Sequence, residues 1–272
     1  MTILITGATG NVSSALIRAL PSTENVRVLV RDPARAPEGV EVFVGDLDHP
    51  ETLTEAFDGV ETLWLLTAMG PSSPHASGNA VWAARQAGVK HIVRLSAIGA
   101  AHDAPTRNGR LHALSDLELQ ASGIAWTIIR PAFFMQNLFG SVNGDTLYGG
   151  LGDGRLGMID VRDIAEFGAR VLADPAPHAG RIYTLTGPES ISLQQAAAAV
   201  GATYQPVPEE GVLEAMLGAG FPEWDAKVSV EYGRAYAANW GDYTTTHFSD
   251  VVGRPARSFA DFARDHAAQL RP

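Results

Sequence analysis

Short apolar runs alternate with longer helical patterns along the first two-thirds of the chain. The runs lie at 3–6, 26–30, 40–44, 62–66, 91–95 and 126–129, and they are rich in Val, Ile and Leu. Between them, apolar positions recur at helical spacing over 12–20, 51–57, 76–87, 111–121 and 133–139. Unbroken apolar strands alternating with helices predict a parallel sheet covered on both faces. After about Gly140 the pattern loosens. Six glycines crowd 144–157, which predicts a mobile, substrate-gating loop. A helix over 161–173 and a strand over 181–185 follow, then short helices broken by Pro206, Pro208, Pro222 and Pro255. The expected architecture is α/β: a Rossmann-type doubly wound sheet with a smaller mixed C-terminal substrate lobe. Residues 1–140 form mainly the core and 141–272 mainly the lobe, with 155–185 returning to the core.

Composition narrows the function. The chain has 272 residues, 46% hydrophobic and 18% charged, as in an ordinary soluble enzyme. A net charge of −10 and the lack of any Lys/Arg cluster argue against nucleic-acid and anionic-membrane partners. There are no cysteines, so disulfides, thiolate catalysis and cysteine-bound metals are excluded, and no metal site is expected. No targeting or spanning segment stands out, so a cytoplasmic protein, monomer or homodimer, is the default.

The first strand runs into "ITGATGNVSSALIRAL". A strand, a glycine turn and a helix start make a phosphate site, because the first helical N–H groups are unpaired and carry partial positive charge. Gly7 and Gly10 allow a tight turn and close approach to a pyrophosphate, and Ser13 stands where a third glycine is usual. The second strand ends at "VLVRDP". Arginine at this place suits a 2′-phosphate, as acid suits a 2′-hydroxyl, so Arg31 points to NADP; the alternative is a surface arginine paired with Asp32. In "VGDLDHP", Asp46 and Leu47 are placed to flank an adenine, or Asp46 only caps the helix near Pro50.

These stretches, with "AARQAGVKHIVRLSAIGA", "LQASGIAWTIIRPAFFMQNL" and "IDVRDIAEFGARVL", resemble the atypical short-chain dehydrogenase/reductases, specifically the NmrA-like group with its NAD(P)H-dependent quinone and azo reductases. The resemblance spans roughly the first 175 residues. It implies cofactor contacts at Gly7, Thr9, Gly10, Asn11, Val12, Arg31, Asp46 and Leu47. It places Thr67, Ala68, Met69 and Ser96 beside the nicotinamide and closes the far side with Pro131, Phe133 and Phe134. Asp163 is expected to cap the helix that follows it.

Ketone reducers of the wider superfamily carry a serine and a Tyr-x-x-x-Lys pair, which this chain lacks. Alignment on "SGIAWTIIRP" puts Asp116 where relatives often have glutamate, His112 at the lysine position and Asn108 at the tyrosine position. The catalytic candidates are therefore Ser96, His112 and Asn108. Imidazole titrates near neutrality, so His112 is the expected proton donor; binding the ribose or facing solvent are its other readings. His102 and His247 rank behind it. A quinone makes little demand on an enzymic acid, because hydride addition yields a phenolate-type anion with a conjugate acid near pKa ~10. Ser96, water or the substrate then suffices. Phe133, Phe134, Met135 and Met69, with Tyr148, Trp224, Tyr232, Tyr236, Trp240 and Phe248, suit a planar polycyclic substrate, although any one of them alone reads more simply as core. The expected function is an NADPH-dependent reductase of quinones or aromatic-conjugated ketones, with tailoring of aromatic polyketide antibiotics a subset. The rivals are a non-catalytic NADP(H)-binding redox sensor of the NmrA type and, behind both, an isomerase or benzylic-ether reductase.

Overall fold

The computed structural model describes residues 1–271. In chain order the first part contains β1 (Thr2–Ile5), α1 (Asn11–Ala19), β2 (Asn25–Val30), β3 (Glu41–Val44), α2 (Thr54–Phe57), β4 (Thr62–Leu65), α3 (Ser73–Ala87), β5 (His91–Leu95), α4 (Arg107–Ala121) and β6 (Ala125–Pro131). The second part contains β7 (Val142–Asn143), β8 (Thr146–Gly149), β9 (Arg155–Leu156), α5 (Val161–Ala173), β10 (Arg181–Leu185), β11 (Ile191–Ser192), α6 (Leu193–Ala199), β12 (Thr203–Pro206), α7 (Glu209–Gly218), α8 (Glu223–Ala237), α9 (His247–Val252), α10 (Phe259–Asp265) and α11 (Ala267–Leu270).

Seven strands form one sheet in the order β10-β6-β5-β4-β1-β2-β3. Every pairing in it is parallel. Alternate side chains serve opposite faces, and both faces are buried. Ile3, Ile5, Trp64 and Val93 meet α1 and α5 on one side. Leu4, Leu63, Leu65 and Ile92 meet α2, α3 and α4 on the other. This accounts for strands that read as unbroken apolar runs. Chain order reverses between β1 and β4, and ligands of open α/β sheets bind beyond the carboxyl ends at such a point.

The remaining strands form two small sheets, β11-β9 and β12-β8-β7, over a third core. Three expectations change here. The segment 133–139 yields only a 3₁₀ turn at Met135–Leu138, because Met135 N donates to Ile159 O at 2.9 Å and Ile159 N donates to Phe133 O at 2.9 Å, which holds the chain extended before the turn. The glycine-rich stretch runs through β8 and β9 and the tight turns that join them, and it is packed, not a loose loop. Its glycines are seats: a Cβ at Gly154 would collide with the Tyr236 carbonyl, and one at Gly150 with the Val212 side chain. Asp163 is not the cap of α5. That place belongs to Asp160, whose Oδ1 accepts from Arg162 N at 2.8 Å. Asp163 is buried inside the first turn, where it accepts from Arg254 and Arg257 and ties α5 to the chain after α9. Among the described residues no helix is long and apolar enough to cross a membrane.

Candidate functional site

The glycine turn sits at the switch point. The Thr6 hydroxyl donates to Leu66 O and accepts from Leu66 N, both at 2.8 Å, and so ties the carboxyl ends of β1 and β4. Gly7 has φ +62°, and a Cβ there would lie 2.7 Å from Leu66 Cδ2. Only glycine fits this corner. The N-cap of α1 is Gly10, with no side-chain cap, so the amides that follow at Asn11 and Val12 face the crevice without a side-chain partner. Ser13, at the place of a third glycine, is fully buried. Its hydroxyl donates to Thr6 O at 3.1 Å and accepts from Trp64 Nε1 at 3.1 Å. The cradle fits a dinucleotide's pyrophosphate: main-chain amides are free where a side chain has no room.

Thr9 lines a cavity of about 570 Å³ beside the turn, together with Arg18 and Arg35. Arg31 is exposed at the end of β2. Asp32 caps the 3₁₀ turn Pro33–Arg35 by accepting from Ala34 N at 3.0 Å. Asp46 accepts from Asp48 N at 3.1 Å and does not cap the 3₁₀ turn at Pro50, whose N-cap is His49. Asn79 of α3 fixes the neighbouring Leu47 carbonyl at 2.8 Å. Thr67, Ala68 and Met69 follow β4, with Met69 exposed. Pro131 ends β6, and Phe133 and Phe134 lie on the extended segment after it.

At the ends of β5 and β6 stands a charged network that the sequence reading did not include. Arg94 and Asp116 are both 1% exposed. Arg94 Nε donates to Asp116 Oδ1 at 3.0 Å, and its Nη1 donates to Ser77 Oγ at 3.1 Å. Asp116 Oδ2 accepts from Arg130 Nη2 at 2.8 Å and from Ser96 Oγ at 2.9 Å. Burial pulls the Arg94 guanidinium below its ordinary value, and Asp116 acts in the opposite sense. A charged residue inside an apolar strand needs a partner, and "HIVRLS" with "SDLE" downstream was the available signal.

This network alters two roles. Ser96 is buried and spends its hydroxyl proton on Asp116; as folded it is not the expected proton source. His112 Nδ1 lies 3.3 Å from Arg94 Nη2. A guanidinium only donates, so Nδ1 accepts and the proton of the neutral ring sits on Nε2. Burial first, then the Arg94 and Arg130 charges, hold its pKa down to about 3. His112 is therefore neutral at physiological pH. The expected imidazolium acid is corrected: what remains is a neutral Nε2–H donor.

Asn108 lies one turn before His112 on α4, buried, with Nδ2 donating to Tyr232 Oη at 3.1 Å. Glu231, the neighbour of Tyr232 on α8, accepts from Arg107 N and Nε, each at 2.7 Å. These contacts pack α8 against the start of α4. Tyr232 stacks on Tyr236 with centroids 6.0 Å apart, and Phe133 meets Tyr236 edge-on at 5.9 Å. Trp240 packs on Gly99, where no side chain fits. The aromatic inventory thus divides. Phe133, Tyr232 and Trp240 are partly buried and pack around Tyr236, which is core, as Phe248 is, and Tyr148 is an exposed strand residue.

A family model described as NAD(P)H-binding matches residues 7–175. The chain is 37% identical to the NAD(P)H azoreductase of Xenophilus azovorans, over 98% of each chain. It is 31% identical to the (4-alkanoyl-5-oxo-2,5-dihydrofuran-3-yl)methyl phosphate reductase of Streptomyces griseus, over 99% of each. Among solved structures it is similar to the NADPH complex of an NADPH-dependent quinone oxidoreductase from Escherichia coli, with TM-score 0.85 and 26% identity over 97% of this chain and 99% of that one. The chain belongs to the NAD(P)H-binding family, within the NmrA-like atypical short-chain dehydrogenase/reductases that its motifs resemble.

Proposed function

We propose that this protein is a reductase that takes hydride from NADPH to a planar conjugated acceptor: a quinone, an azo compound or an aromatic-conjugated ketone. The observation that carries it is a convergence at the carboxyl ends of one sheet. The uncapped start of α1 behind Gly7 stands at the switch point, and the partly buried rings of Phe133, after β6, and Tyr232, bonded to Asn108 of α4, pack on the buried Tyr236. The relatives named as azo and quinone reductases support the substrate class.

NADPH, when bound, supplies the hydride. The residues of this chain that would hold it are Gly7, Thr9, Gly10, Asn11 and Val12 at the pyrophosphate, and Arg31 at the 2′-phosphate with Arg35 close by. Asp46 and Leu47 would flank the adenine. Thr67, Ala68, Met69, Pro131, Phe133 and Phe134 would border the nicotinamide. Ser96 and the neutral His112 would stand beside them, and the partly buried rings offer faces on which a flat substrate stacks and from which water is excluded. The narrower role in aromatic polyketide tailoring has less support, because the named substrate of the Streptomyces relative is a dihydrofuranone phosphate. The test is stopped-flow NADPH oxidation with naphthoquinones, anthraquinones and azo dyes. Oxidation above the enzyme-free rate is expected with at least one of these classes. A chain that binds NADPH and oxidises it with none would be a sensor, not a reductase.

A further inference from the structure

The tyrosine position on α4 is filled by Asn108, and the space beside it is filled by a phenol from elsewhere in the chain. Tyr232 of α8, 124 residues downstream, brings its Oη to 3.1 Å from Asn108 Nδ2. Since the amide donates to the phenol oxygen, that contact leaves the hydroxyl proton of Tyr232 uncommitted. Burial raises the Tyr232 pKa, with the Asn108 and Thr106 side chains pulling it part of the way back, so the proton is present throughout the neutral range. Its place is fixed from three sides: Glu231 clamps Arg107, Tyr236 stacks on its ring, and Trp240 lies on Gly99. Asn108 Oδ1 is buried and meets no protein donor, so among the described residues the phenol oxygen is the one polar partner of this amide.

We infer that Tyr232 is the proton donor of this reductase, a catalytic phenol supplied by the substrate lobe and aimed by Asn108 in place of the missing Tyr-x-x-x-Lys pair. The inference rests on the reductase reading above. Hydride adds to the carbonyl carbon and the π pair of the C=O bond moves onto oxygen. The Tyr232 O–H proton passes to that oxygen, and water reprotonates the phenolate. NADPH is oxidised by two electrons and the carbonyl is reduced by two.

The two halves of this step separate experimentally, because a triarylmethane dye cation becomes its neutral leuco form by accepting hydride alone. Tyr232→Phe keeps the ring and removes only the hydroxyl. Expected are an NADPH Kd within about twofold of wild type, dye reduction within a few-fold, and turnover of an aromatic-conjugated ketone down by about a hundredfold, in the range general acid catalysis supplies, whereas a quinone, whose product anion needs little help from an acid, should lose far less. A second readout needs no turnover. With oxidised cofactor bound, calorimetry on a planar phenolate ligand should show affinity about tenfold or more weaker in Tyr232→Phe, as for loss of a hydrogen bond to a charged group. Equal losses for dye and carbonyl, or unchanged carbonyl turnover and unchanged phenolate affinity, would overturn the assignment. Failure of the wild-type protein to reduce any of these acceptors would instead sink the reductase reading on which it rests.

Discussion

Trp64 donates its indole Nε1–H to the Ser13 hydroxyl at 3.1 Å, across the interface between β4 and α1. Ser13 passes the chain on to Thr6 O, and Trp64 is completely buried against Gly168 of α5, where a Cβ would lie 2.8 Å from the indole ring. A third glycine in the turn would leave this indole without its acceptor. Ser13→Ala is therefore expected to lower unfolding free energy by about 1–3 kcal/mol, the cost of an orphaned buried donor. Urea denaturation checks this, and NADPH affinity should change little, because the amides of α1 keep their places.

Arg31→Glu should weaken NADPH far more than NADH, by about ten- to a hundredfold for the phosphorylated cofactor, the range for one charged hydrogen bond. Arg35→Glu tests the neighbouring wall of the cavity that Thr9 and Arg18 share. Fluorescence titration with both cofactors reads both variants. Equal losses for NADPH and NADH at Arg31 would remove it from the 2′-phosphate.

Asp116→Ala leaves Arg94 buried without its carboxylate and frees the Ser96 proton. Breaking a buried pair from one side costs about 3–5 kcal/mol. The expected outcome is a strongly destabilised chain in thermal or urea melts. Replacing both partners at once, Arg94→Met with Asp116→Leu, should recover part of that loss.

His112 and His91 give the acid side of the stability curve. Burial lowers both, His112 to about 3 and His91 to about 4, while the unfolded chain takes up these protons near 6.5. Below 6.5 the unfolded state binds more protons, so their contribution is complete above 6.5 and is lost as pH falls through the window toward 4 and 3. His112→Gln should flatten the slope there by about 1.4 kcal/mol per pH unit, one proton's worth. In catalysis, His112→Ala should cut turnover while sparing cofactor binding. The wild-type kcat/KM profile should carry no limb from His112 between about pH 5 and 8.

The sheet was legible because its strands are buried on both faces, and a run such as 91–95 needs no partner information to be recognised. The start of α4 was not: helical spacing begins at Leu111, whereas the helix begins at Arg107 under a Thr106 cap, with Gly109 N donating to Thr106 Oγ at 3.0 Å. The pyrophosphate cradle could be read from Gly7 and Gly10, since local backbone demands write themselves into glycine. The proton chemistry could not. Whether His112 is charged depends on Arg94, and whether a phenol is at hand depends on Tyr232, and both partners arrive by tertiary folding. Gly150, Gly152 and Gly154 misled for a related reason: small residues in a row look like slack in one dimension and are tight contacts in three.

That tightness has a consequence for how this scaffold can diversify. The Gly233 backbone of α8 rests on the Gly150 carbonyl, and the Tyr236 carbonyl rests on Gly154, so the roof is keyed to the floor main chain against main chain. A one-residue slip of α8 would take Gly233 out of register and set the Cβ of its neighbour against the Gly150 carbonyl. New acceptors are thus more easily accommodated by repainting the ring faces at positions 133, 232 and 240 than by lifting the roof, and the size of molecule admitted should change in the quantum steps of a side chain.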